Sequence, residues 1–189
     1  MTRSVAVKEN DFVIRFANVN GSGSASANSM FAKALFRMGV PVATRNIFPS
    51  NIQGLPTWFE VRVNEHGYLG RREGVDIMVA MNAETYTEDV ASINPGGYLL
   101  RDNSKPFPVR LRRSDIHEIG IPISSMLLPQ FSDPKQRGLF KNITYLGALT
   151  ALLDIDFDVI TGMVANQYKG KDALIAPNIH ALEIGRDYA

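Results

Sequence analysis

The sequence predicts one domain of the α/β class, and three observations support that prediction. A buried strand, a turn of small polar residues and an amphipathic helix follow one another over residues 11–39. A second strand pattern at 41–47 completes a β-α-β unit, for which we expect direct parallel pairing through a right-handed crossover. Further strand patterns occupy the middle of the chain and helical patterns occupy its last third. The length of 189 residues fits a single domain.

The first strand and the first helix are predicted from the spacing of apolar residues. Residues 12–17 form a short apolar run, which is typical of a buried strand. Apolar residues then recur at helical spacing from Met30 to Met38, and Gly39 is a typical helix stop. The strand and the helix therefore enclose a turn over residues 18–24.

This turn has the chemical character of an anion site. Its glycines and polar residues are Asn18, Asn20, Gly21, Ser22, Gly23 and Ser24. Backbone N–H groups and the positive end of the helix dipole would point at the turn, and Ser22 or Ser24 can cap the helix. However, Asn18 and Asn20 stand where a dinucleotide-binding loop has its first two glycines, and G-x-x-x-x-G-K-[S/T] is absent. A turn without a ligand and an anion or cofactor site both remain open.

The later strands are predicted from β-branched and aromatic residues bounded by turn residues. They are residues 57–63, 75–81, 98–102 and 116–121, with turns at 66–67 and 94–97 and a short helix over 86–93. Asn82, Glu84 and Thr85 follow one of these strands. They either face the same crevice as the 18–24 turn, because ligands bind at the carboxyl ends of strands in open sheets, or cap the short helix.

The last third of the chain is predicted to be helical. Apolar residues at helical spacing indicate helices over 140–153, 157–168 and 172–185. We expect an interruption near Pro177, because proline lacks a backbone N–H group. Residues 122–126 either begin a short helix or continue as extended chain.

The loop over residues 48–56 presents polar groups on a stiff frame. Two prolines restrict it, and Gly54 permits a turn. Its polar residues Ser50, Asn51 and Gln53 either bind a ligand or simply belong to the turn. The residue types favour the turn when the loop is considered alone.

The loop over residues 103–115 carries a cluster of three arginines. These are Arg110, Arg112 and Arg113. A solvated loop is the favoured interpretation, because isolated runs of charge are usually exposed. A contact with a phosphate or an acidic partner is the alternative.

Composition excludes several functional classes. The 20 Lys and Arg residues nearly balance the 19 Asp and Glu residues, which argues against nucleic-acid binding. The sequence has no cysteine, so it supplies no disulfide, thiolate metal site or iron–sulfur ligand. Its three histidines lack metal-ligand spacing, and no acid–base pair stands out. We therefore expect no catalytic residue and no metal site in this chain.

Targeting signals are also missing from the sequence. The N-terminus has no long apolar core of a signal peptide, and no run of 18 apolar residues suggests a membrane span. We therefore expect a cytoplasmic protein without a membrane partner, with a polar lead-in over residues 1–10 and one domain over residues 11–189.

Several segments together resemble the gamma-type domain of 2-oxoacid:ferredoxin (acceptor) oxidoreductases. They are ANVNGSGSASAN (17–28), FRMGVPVATRNIFPSNIQGLPTWFEVRV (36–63) and VDIMVAMNAETY (75–86), followed by residues 142–147 and 178–185. The resemblance points in particular to the N-terminal domain of the alpha subunit of 2-oxoglutarate:ferredoxin oxidoreductases, a branch in which asparagines replace glycines of the turn. It implies a three-layer Rossmann-like α/β/α fold with a mostly parallel or mixed central sheet.

The resemblance also implies a function. Enzymes of this family decarboxylate a 2-oxoacid on thiamine diphosphate, pass electrons through iron–sulfur clusters to ferredoxin and release an acyl-CoA. The gamma-type domain is implied to pack near the thiamine site and to help close over CoA. By position in the motif, residues 18–24 together with Ser50, Asn51 and Gln53 would face that site.

The cofactors would then belong to the assembled complex. The resemblance implies that thiamine diphosphate, Mg²⁺ and 4Fe-4S clusters are held by partner subunits or domains, and that ferredoxin is reached through them. Alpha subunits of this kind continue into a thiamine-binding domain. We therefore expect this chain to be a fragment, a separately encoded subunit or one processed piece of the enzyme.

Two other functional classes remain open. One is an independent nucleotide-binding module, against which Asn18 and Asn20 argue, as does the lack of an acidic residue after the second strand to bind a ribose. The other is a purely structural assembly domain, in which the turn contacts only protein.

Overall fold

The computed structural model describes residues 10–49 and 52–189. Its strands are β1 (Asp11–Val19), β2 (Val42–Ile47), β3 (Pro56–Asn64), β4 (Val75–Ala80), β5 (Ile93–Asp102) and β6 (His117–Ile121). Its helices are α1 (Ser24–Arg37), α2 (Tyr86–Ala91), α3 (Ile123–Leu127), α4 (Pro134–Leu152), α5 (Phe157–Gln167) and α6 (Asp172–Tyr188). Ser50 and Asn51, which the sequence placed in the site, and residues 1–9 of the predicted lead-in lie outside the described residues.

The strands form one mixed sheet in the order β2-β3-β1-β4-β5-β6. Strands β1, β4, β5 and β6 are parallel neighbours, whereas β3 lies antiparallel between β1 and β2. Phe16 of β1 stands opposite Phe59 of β3 on one side and Val79 of β4 on the other. The predicted mixed sheet is confirmed, but the predicted direct pairing of the first two strands is wrong.

Burial explains why β3 lies inside the sheet and β2 at its edge. Trp58, Phe59 and Val61 of β3 are all buried, which suits a strand with a neighbour on each side. Residues 44–46 of β2 are exposed, and Arg45 among them is charged, which suits an edge strand. The chain therefore turns back after β2 and places β3 against β1.

The glycine pair that predicted a turn at 94–97 lies instead within β5. The register between β4 and β5 shifts between Val75 and Ile77, which marks a bulge. A Cβ atom on Gly97 would lie 2.8 Å from the backbone oxygens of Asp76 and Asn94, so the bulge requires glycine there. The predicted turn is wrong because glycine serves close backbone approach here.

Helix α6 continues through Pro177, so the predicted interruption is also wrong. The side-chain amide of Asn178 donates to the carbonyl of Leu174 at 2.7 Å. This bond adds a side-chain donor beside the proline, which itself supplies no N–H group to the helix. No helix of the described chain is both long and apolar enough to cross a membrane.

Helices α1, α4, α5 and α6 cover one face of the sheet and form the main core with it. Phe16 lies at its centre, with ring centroids 5.4 Å from Phe31 and 5.8 Å from Tyr145. Helix α2 packs on the opposite face, against Trp58, Met78 and other residues. Helices on both faces confirm the predicted three-layer α/β fold.

Helices α4 and α6 cross at a contact made by two glycines. A Cβ atom on Gly147 would lie 1.9 Å from the carbonyl oxygen of Leu182, and one on Gly185 would lie 1.9 Å from that of Thr144. The two backbones therefore touch where side chains are absent. This close contact holds α6 against the helix that borders the site described below.

The opposite face of the sheet contains a buried carboxyl group. Asp89 of α2 is 1% exposed, and it accepts hydrogen bonds from Trp58 Nε1 at 2.8 Å and from the Thr85 hydroxyl at 2.7 Å. Burial raises the pKa of Asp89 to about 6, and the nearby negative charge of Glu88 adds to this shift. The group therefore links α2 to β3 at the cost of a carboxylate that is poorly solvated when charged.

We predict that Gly147→Ala destabilises the protein. The added methyl group would overlap the Leu182 carbonyl and force α4 and α6 apart, which should lower the free energy of unfolding by about 1–3 kcal/mol in urea titrations. Gly162→Ala on α5 is the matched control, because its Cβ atom would meet nothing within 4 Å. That variant should be neutral or gain up to about 1 kcal/mol. Equal effects of the two substitutions would contradict the close crossing.

We predict that Asp89 makes stability depend on pH. The pKa of Asp89 is about 6 in the folded protein, above the ordinary 3.8. The protonated carboxyl group therefore stabilises the fold fully at and below pH 3.8, and this stabilisation is lost as the pH rises to about 6. Asp89→Asn should remove this loss, which is on the order of 3 kcal/mol between pH 4 and 7. Urea titrations followed by Trp58 fluorescence would measure it. Glu88→Gln removes an exposed neighbouring charge that adds only a smaller part of the pKa shift, so this variant should keep most of the wild-type slope. Parallel curves for wild type and Asp89→Asn would refute the assignment.

Candidate functional site

The turn between β1 and α1 lies at the carboxyl edge of the parallel strands. Gly21 and Gly23 both have left-handed backbone conformations, with φ of 83° and 79°, and both are exposed. Residues with a Cβ atom rarely adopt these conformations, so the sequence requires glycine at both positions. The bend that the sequence predicted therefore directly follows a strand of the sheet and is open to solvent.

Within the described ranges, no side chain caps the amino end of α1. The N-cap residue is Gly23, and no acidic residue occurs in the first turn. The predicted capping by Ser22 or Ser24 is wrong, because Ser24 lies inside the helix and the Ser22 hydroxyl has no hydrogen-bond partner within the described chain. The first-turn N–H groups and the positive end of the helix dipole therefore remain open to an anion.

Buried amides support the turn from beneath. Asn18 is 3% exposed, and its Oδ1 accepts from Asn28 Nδ2 of α1 at 3.2 Å. The Tyr145 hydroxyl of α4 donates to Asn28 Oδ1 at 2.6 Å, and Asn142 Nδ2 donates to the carbonyl of Ser22 at 2.8 Å. Burial raises the pKa of Tyr145 far above its ordinary value, so this hydroxyl stays protonated and serves as a donor. Asn18 thus fixes the turn mainly through contacts inside the protein.

The loop before β3 is bound to the same turn. The backbone N–H of Asn20 donates to Leu55 O at 2.8 Å, and Gly54 N donates to Asn20 O at 3.0 Å. The side-chain amide of Asn20 donates to Ile52 O at 3.1 Å. Gln53 covers Gly21 so closely that a Cβ atom there would lie 2.8 Å from Gln53 Cγ. The structure therefore brings Gln53 to the turn, while Ser50 and Asn51 lie outside the described residues.

A cavity of about 370 Å³ opens beside the turn. Its wall includes Asn20, Gly21, Gly23, Ser24, Asn46 and Phe48. Backbone amides at the start of α1, a side-chain amide and an apolar ring thus surround one space. The cavity can accept a group that is partly anionic and partly apolar.

Other polar residues that the sequence singled out have structural roles. Asn82 Oδ1 accepts from the backbone N–H of Glu84 at 3.1 Å, and the Thr85 hydroxyl bonds to Asp89. These residues therefore cap and anchor the segment before α2. Arg113 donates to the carbonyls of Val90 and Ile93 and pairs with Asp115, as expected for a residue that holds a loop.

Sequence reasoning missed three cations on the other side of the turn. Lys105 follows β5, and Arg137 and Lys141 lie on α4, where they line cavities next to the turn. Arg137 and Lys141 are one helical turn apart, but Lys105 is distant from them in the sequence, so the three form no motif. Asn142 was also missed as a support of the turn, although it begins one of the segments that carry the family resemblance. In the two described ranges, no three His, Cys, Asp or Glu side chains cluster to hold a metal ion.

Comparison with proteins of known sequence identifies a relative of greater length. The alpha subunit of 2-oxoacid:ferredoxin oxidoreductase 2 from Aeropyrum pernix is 22% identical over 215 residues. The match covers 94% of this chain but only 34% of that subunit. The chain therefore spans about a third of the length of this curated relative.

Solved structures share the fold. A 2-oxoglutarate:ferredoxin oxidoreductase from Magnetococcus marinus, with 2-oxoglutarate, coenzyme A and succinyl-CoA bound, matches with a TM-score of 0.84 and 25% identity, over 96% of this chain and 31% of that one. Pyruvate oxidoreductase subunit PORC from Thermotoga maritima matches with a TM-score of 0.74 and 20% identity, over 95% and 97% of the two chains. The gamma subunit of a keto/oxoacid ferredoxin oxidoreductase from Geobacter sulfurreducens matches with a TM-score of 0.72 and 21% identity, over 94% of this chain and 98% of that one.

The family match extends over nearly the whole chain. The sequence profile of the family described as pyruvate ferredoxin/flavodoxin oxidoreductase matches residues 13–188. This range runs from β1 to the end of α6 and includes the turn, its amide supports and the three cations. The chain belongs to the pyruvate ferredoxin/flavodoxin oxidoreductase family.

Proposed function

We propose that this chain acts as the gamma-type domain or subunit of a 2-oxoacid:ferredoxin oxidoreductase, with the 2-oxoglutarate type favoured. The complex would convert a 2-oxoacid, CoA and oxidised ferredoxin into an acyl-CoA, CO₂ and reduced ferredoxin. The observation that carries the proposal is the family match over residues 13–188. The similarity to the Magnetococcus marinus 2-oxoglutarate enzyme favours that type.

In this proposal the turn contacts CoA. The uncapped start of α1 offers backbone donors to a phosphate, and glycine at positions 21 and 23 lets a ligand approach the backbone. The adjacent cavity has both amide and apolar walls, which fits a ligand with phosphate and pantetheine parts. The Magnetococcus marinus relative contains coenzyme A and succinyl-CoA. Together with Gln53, and with Ser50 and Asn51, which lie outside the described residues, the turn would help to close the active site over CoA.

The redox and thiamine chemistry would belong to partners in the cytoplasm. We assign thiamine diphosphate, Mg²⁺ and 4Fe-4S clusters to other subunits or domains of the same enzyme, through which ferredoxin would be reduced. Clusters of this kind are held by cysteine thiolates, and this sequence has no cysteine. This chain would contribute walls and backbone donors to a shared site.

Exposed apolar side chains around the turn support a partner contact there. Phe48, Ile52, Leu55 and Leu139 have exposed fractions of 50%, 64%, 39% and 47%. Leu139 lies against the turn, since a Cβ atom on Gly23 would be 2.7 Å from its Cδ2. Apolar side chains that cluster at a site rim are typical of protein contacts. The proposed partner surface is therefore continuous with the proposed CoA site.

We predict that Gly21→Val lowers acyl-CoA formation by the assembled complex about tenfold or more. Valine is strained at φ 83°, and its Cβ atom would displace Gln53 and move the donors of the turn. The measurement is CoA-dependent turnover, together with size-exclusion chromatography to show that the complex still assembles.

The matched control is Gly39→Val at the other end of α1. Gly39 has φ 86° and nothing within 4 Å of an added Cβ atom, so it has the same backbone strain away from the turn. This variant should keep nearly normal turnover. If Gly21→Val also turns over normally, the turn has no part in CoA handling.

We predict that Leu139→Ser and Phe48→Ser weaken assembly with the thiamine-bearing partner. Each removes apolar area from the proposed contact, and a central interface side chain typically contributes enough to change affinity about tenfold. Affinity can be measured by biolayer interferometry with the purified partner. Phe36→Ser is the control, because Phe36 is 68% exposed but lies near the far end of α1. Equal losses for all three variants would argue against a specific contact at the turn.

The two alternative functions predict different outcomes. An independent nucleotide-binding module would purify alone and bind a nucleotide by calorimetry. A purely structural assembly domain would lose assembly with the rim variants while Gly21→Val kept full turnover. Co-purification with a thiamine diphosphate- and cluster-bearing subunit, combined with the Gly21→Val defect, is the result that the proposed function requires.

A further inference from the structure

Two cavities lie side by side on the α4 side of the turn. One has a volume of about 370 Å³ and is lined by Ser104, Ser124, Ser125 and Arg137, among others. The other has about 90 Å³ and is lined by Ser22, Lys105 and Asn142, among others. Lys141 lines both cavities, so they meet at its side chain. This region lies at the carboxyl ends of β5 and β6 and is distinct from the cavity beside the start of α1.

Three cations converge on this region without carboxylate partners. Among the described residues, no carboxylate forms an ion pair with Lys105, Arg137 or Lys141. Arg137 and Lys141 are half-buried. The Arg137 Nη1 group donates to the carbonyls of Phe131 and Ser132, both at 2.7 Å, which fixes the guanidinium at the cavity wall. Partly buried charges are usually paired, so this arrangement calls for an anion.

The carboxyl group that lines the smaller of these cavities is already engaged. Asp102 is 4% exposed and accepts from the Ser124 hydroxyl, from Ser124 N at 3.3 Å and from Ser104 N at 3.1 Å. It influences Lys141 through its charge but does not contact the amine. Three cations against one carboxylate leave an excess of two positive charges. Asp102 therefore orders the serines at the cavity wall and leaves the lysines unneutralised.

The ionisation of Lys141 agrees with an incomplete site. Burial lowers the pKa of the Lys141 amine, and the positive charge of Lys105 lowers it further, with a smaller effect from Arg137. The cations therefore repel one another across the cavities. A bound anion would relieve this repulsion.

We propose that Lys105, Arg137 and Lys141 form an oxyanion subsite that binds the phosphate monoester group of a small molecule. The proposal rests on these side chains and does not require the assignment of the turn to CoA. The subsite extends the open edge of the sheet from the turn to α4.

Charge and hydrogen bonding favour phosphate over a carboxylate. A phosphate monoester carries nearly two negative charges at neutral pH, which matches the excess at the cavities. It also offers three acceptor oxygens, whereas a carboxylate offers two. The buried Ser22 hydroxyl, which has no hydrogen-bond partner among the described residues, is available as a neutral donor. Lysines bind phosphate as compact point charges, so two lysines and a fixed arginine suit this group.

The test is a titration of the 189-residue chain with inorganic phosphate, followed by ¹H–¹⁵N NMR at constant ionic strength. We expect saturable shifts of the amides of Gly138, Lys141 and Ser125, which border the larger cavity. Acetate at the same ionic strength is the comparison anion and should produce no saturable shifts there. Shifts of equal size with acetate would overturn the proposal, because they would show that the cations attract any anion and do not select phosphate.

Variants separate the subsite from general electrostatics. Lys141→Gln should weaken phosphate binding about tenfold or more, since it removes a charged donor from both cavities. Lys105→Gln removes a charge at an exposed position and should weaken phosphate binding about two- to fivefold. Lys169→Gln removes the same charge from an exposed position on none of the cavity walls described here and should leave the affinity unchanged.

The outcomes also distinguish this proposal from the proposed function. Shifts confined to residues 20–25 and insensitive to Lys141→Gln would place the anion at the start of α1, which would overturn the subsite while supporting the turn. Shifts at α4 that vanish in Lys141→Gln would support the subsite, whatever the Gly21→Val complex does. An equal loss of affinity in Lys169→Gln would overturn it as a nonspecific effect of net charge.

Discussion

The buried hydrogen bonds from Tyr145 to Asn28 and from Asn28 to Asn18 hold the open edge of this protein together. They link α4, α1 and the end of β1 within a few ångströms. All three side chains are buried. If one of them were removed, its partner would be left without a hydrogen bond, because water does not reach it. The glycine turn can therefore remain uncapped and solvent-facing, since its position is fixed from below by amides and a hydroxyl. The capping bond that the turn lacks is replaced by bonds to more distant elements.

Two kinds of positive potential lie side by side along the same edge of the sheet. At the start of α1 the positive charge is a helix dipole presented by backbone N–H groups, whereas on α4 it comes from lysine and arginine side chains. The dipole acts within about one helical turn, while side-chain cations act over the width of the cavities. Asn142 joins the two regions, because it lines the smaller cavity and donates to the backbone of the turn. A molecule that bridges both regions would contact one continuous polar surface.

Sequence reasoning succeeded where a pattern is local. The apolar run at 12–17, the helical spacing after it and the glycines of the turn predicted β1, α1 and the bend between them, because neighbouring residues determine these features. The order of strands was not predictable in this way, since β3 lies beside β1 through paired residues such as Asp11 and Asn64 that are far apart in the sequence. Asn18 is buried and bonded to Asn28, and it also lines the cavity beside the turn. The internal bond depends on a helix residue ten positions later, so the sequence pattern did not indicate it. Lys105 and Lys141 are brought together only by the fold, so their spacing in the sequence did not predict that they line one cavity.

The antiparallel position of β3 has a consequence for how this fold can be divided. Strands β1 and β2 are not neighbours in the sheet: β2 pairs with β3, β1 pairs with β3 and β4, and both β3 and β4 follow residue 47. A β-α-β segment excised at residue 47 would therefore be left with two unpaired strands and one amphipathic helix. A fragment that ends at residue 47 would therefore not fold as an independent unit, because β3 is needed to join β1 and β2 into a sheet. A split protein that is cut between β2 and β3 would have to receive that strand from the second fragment, in trans.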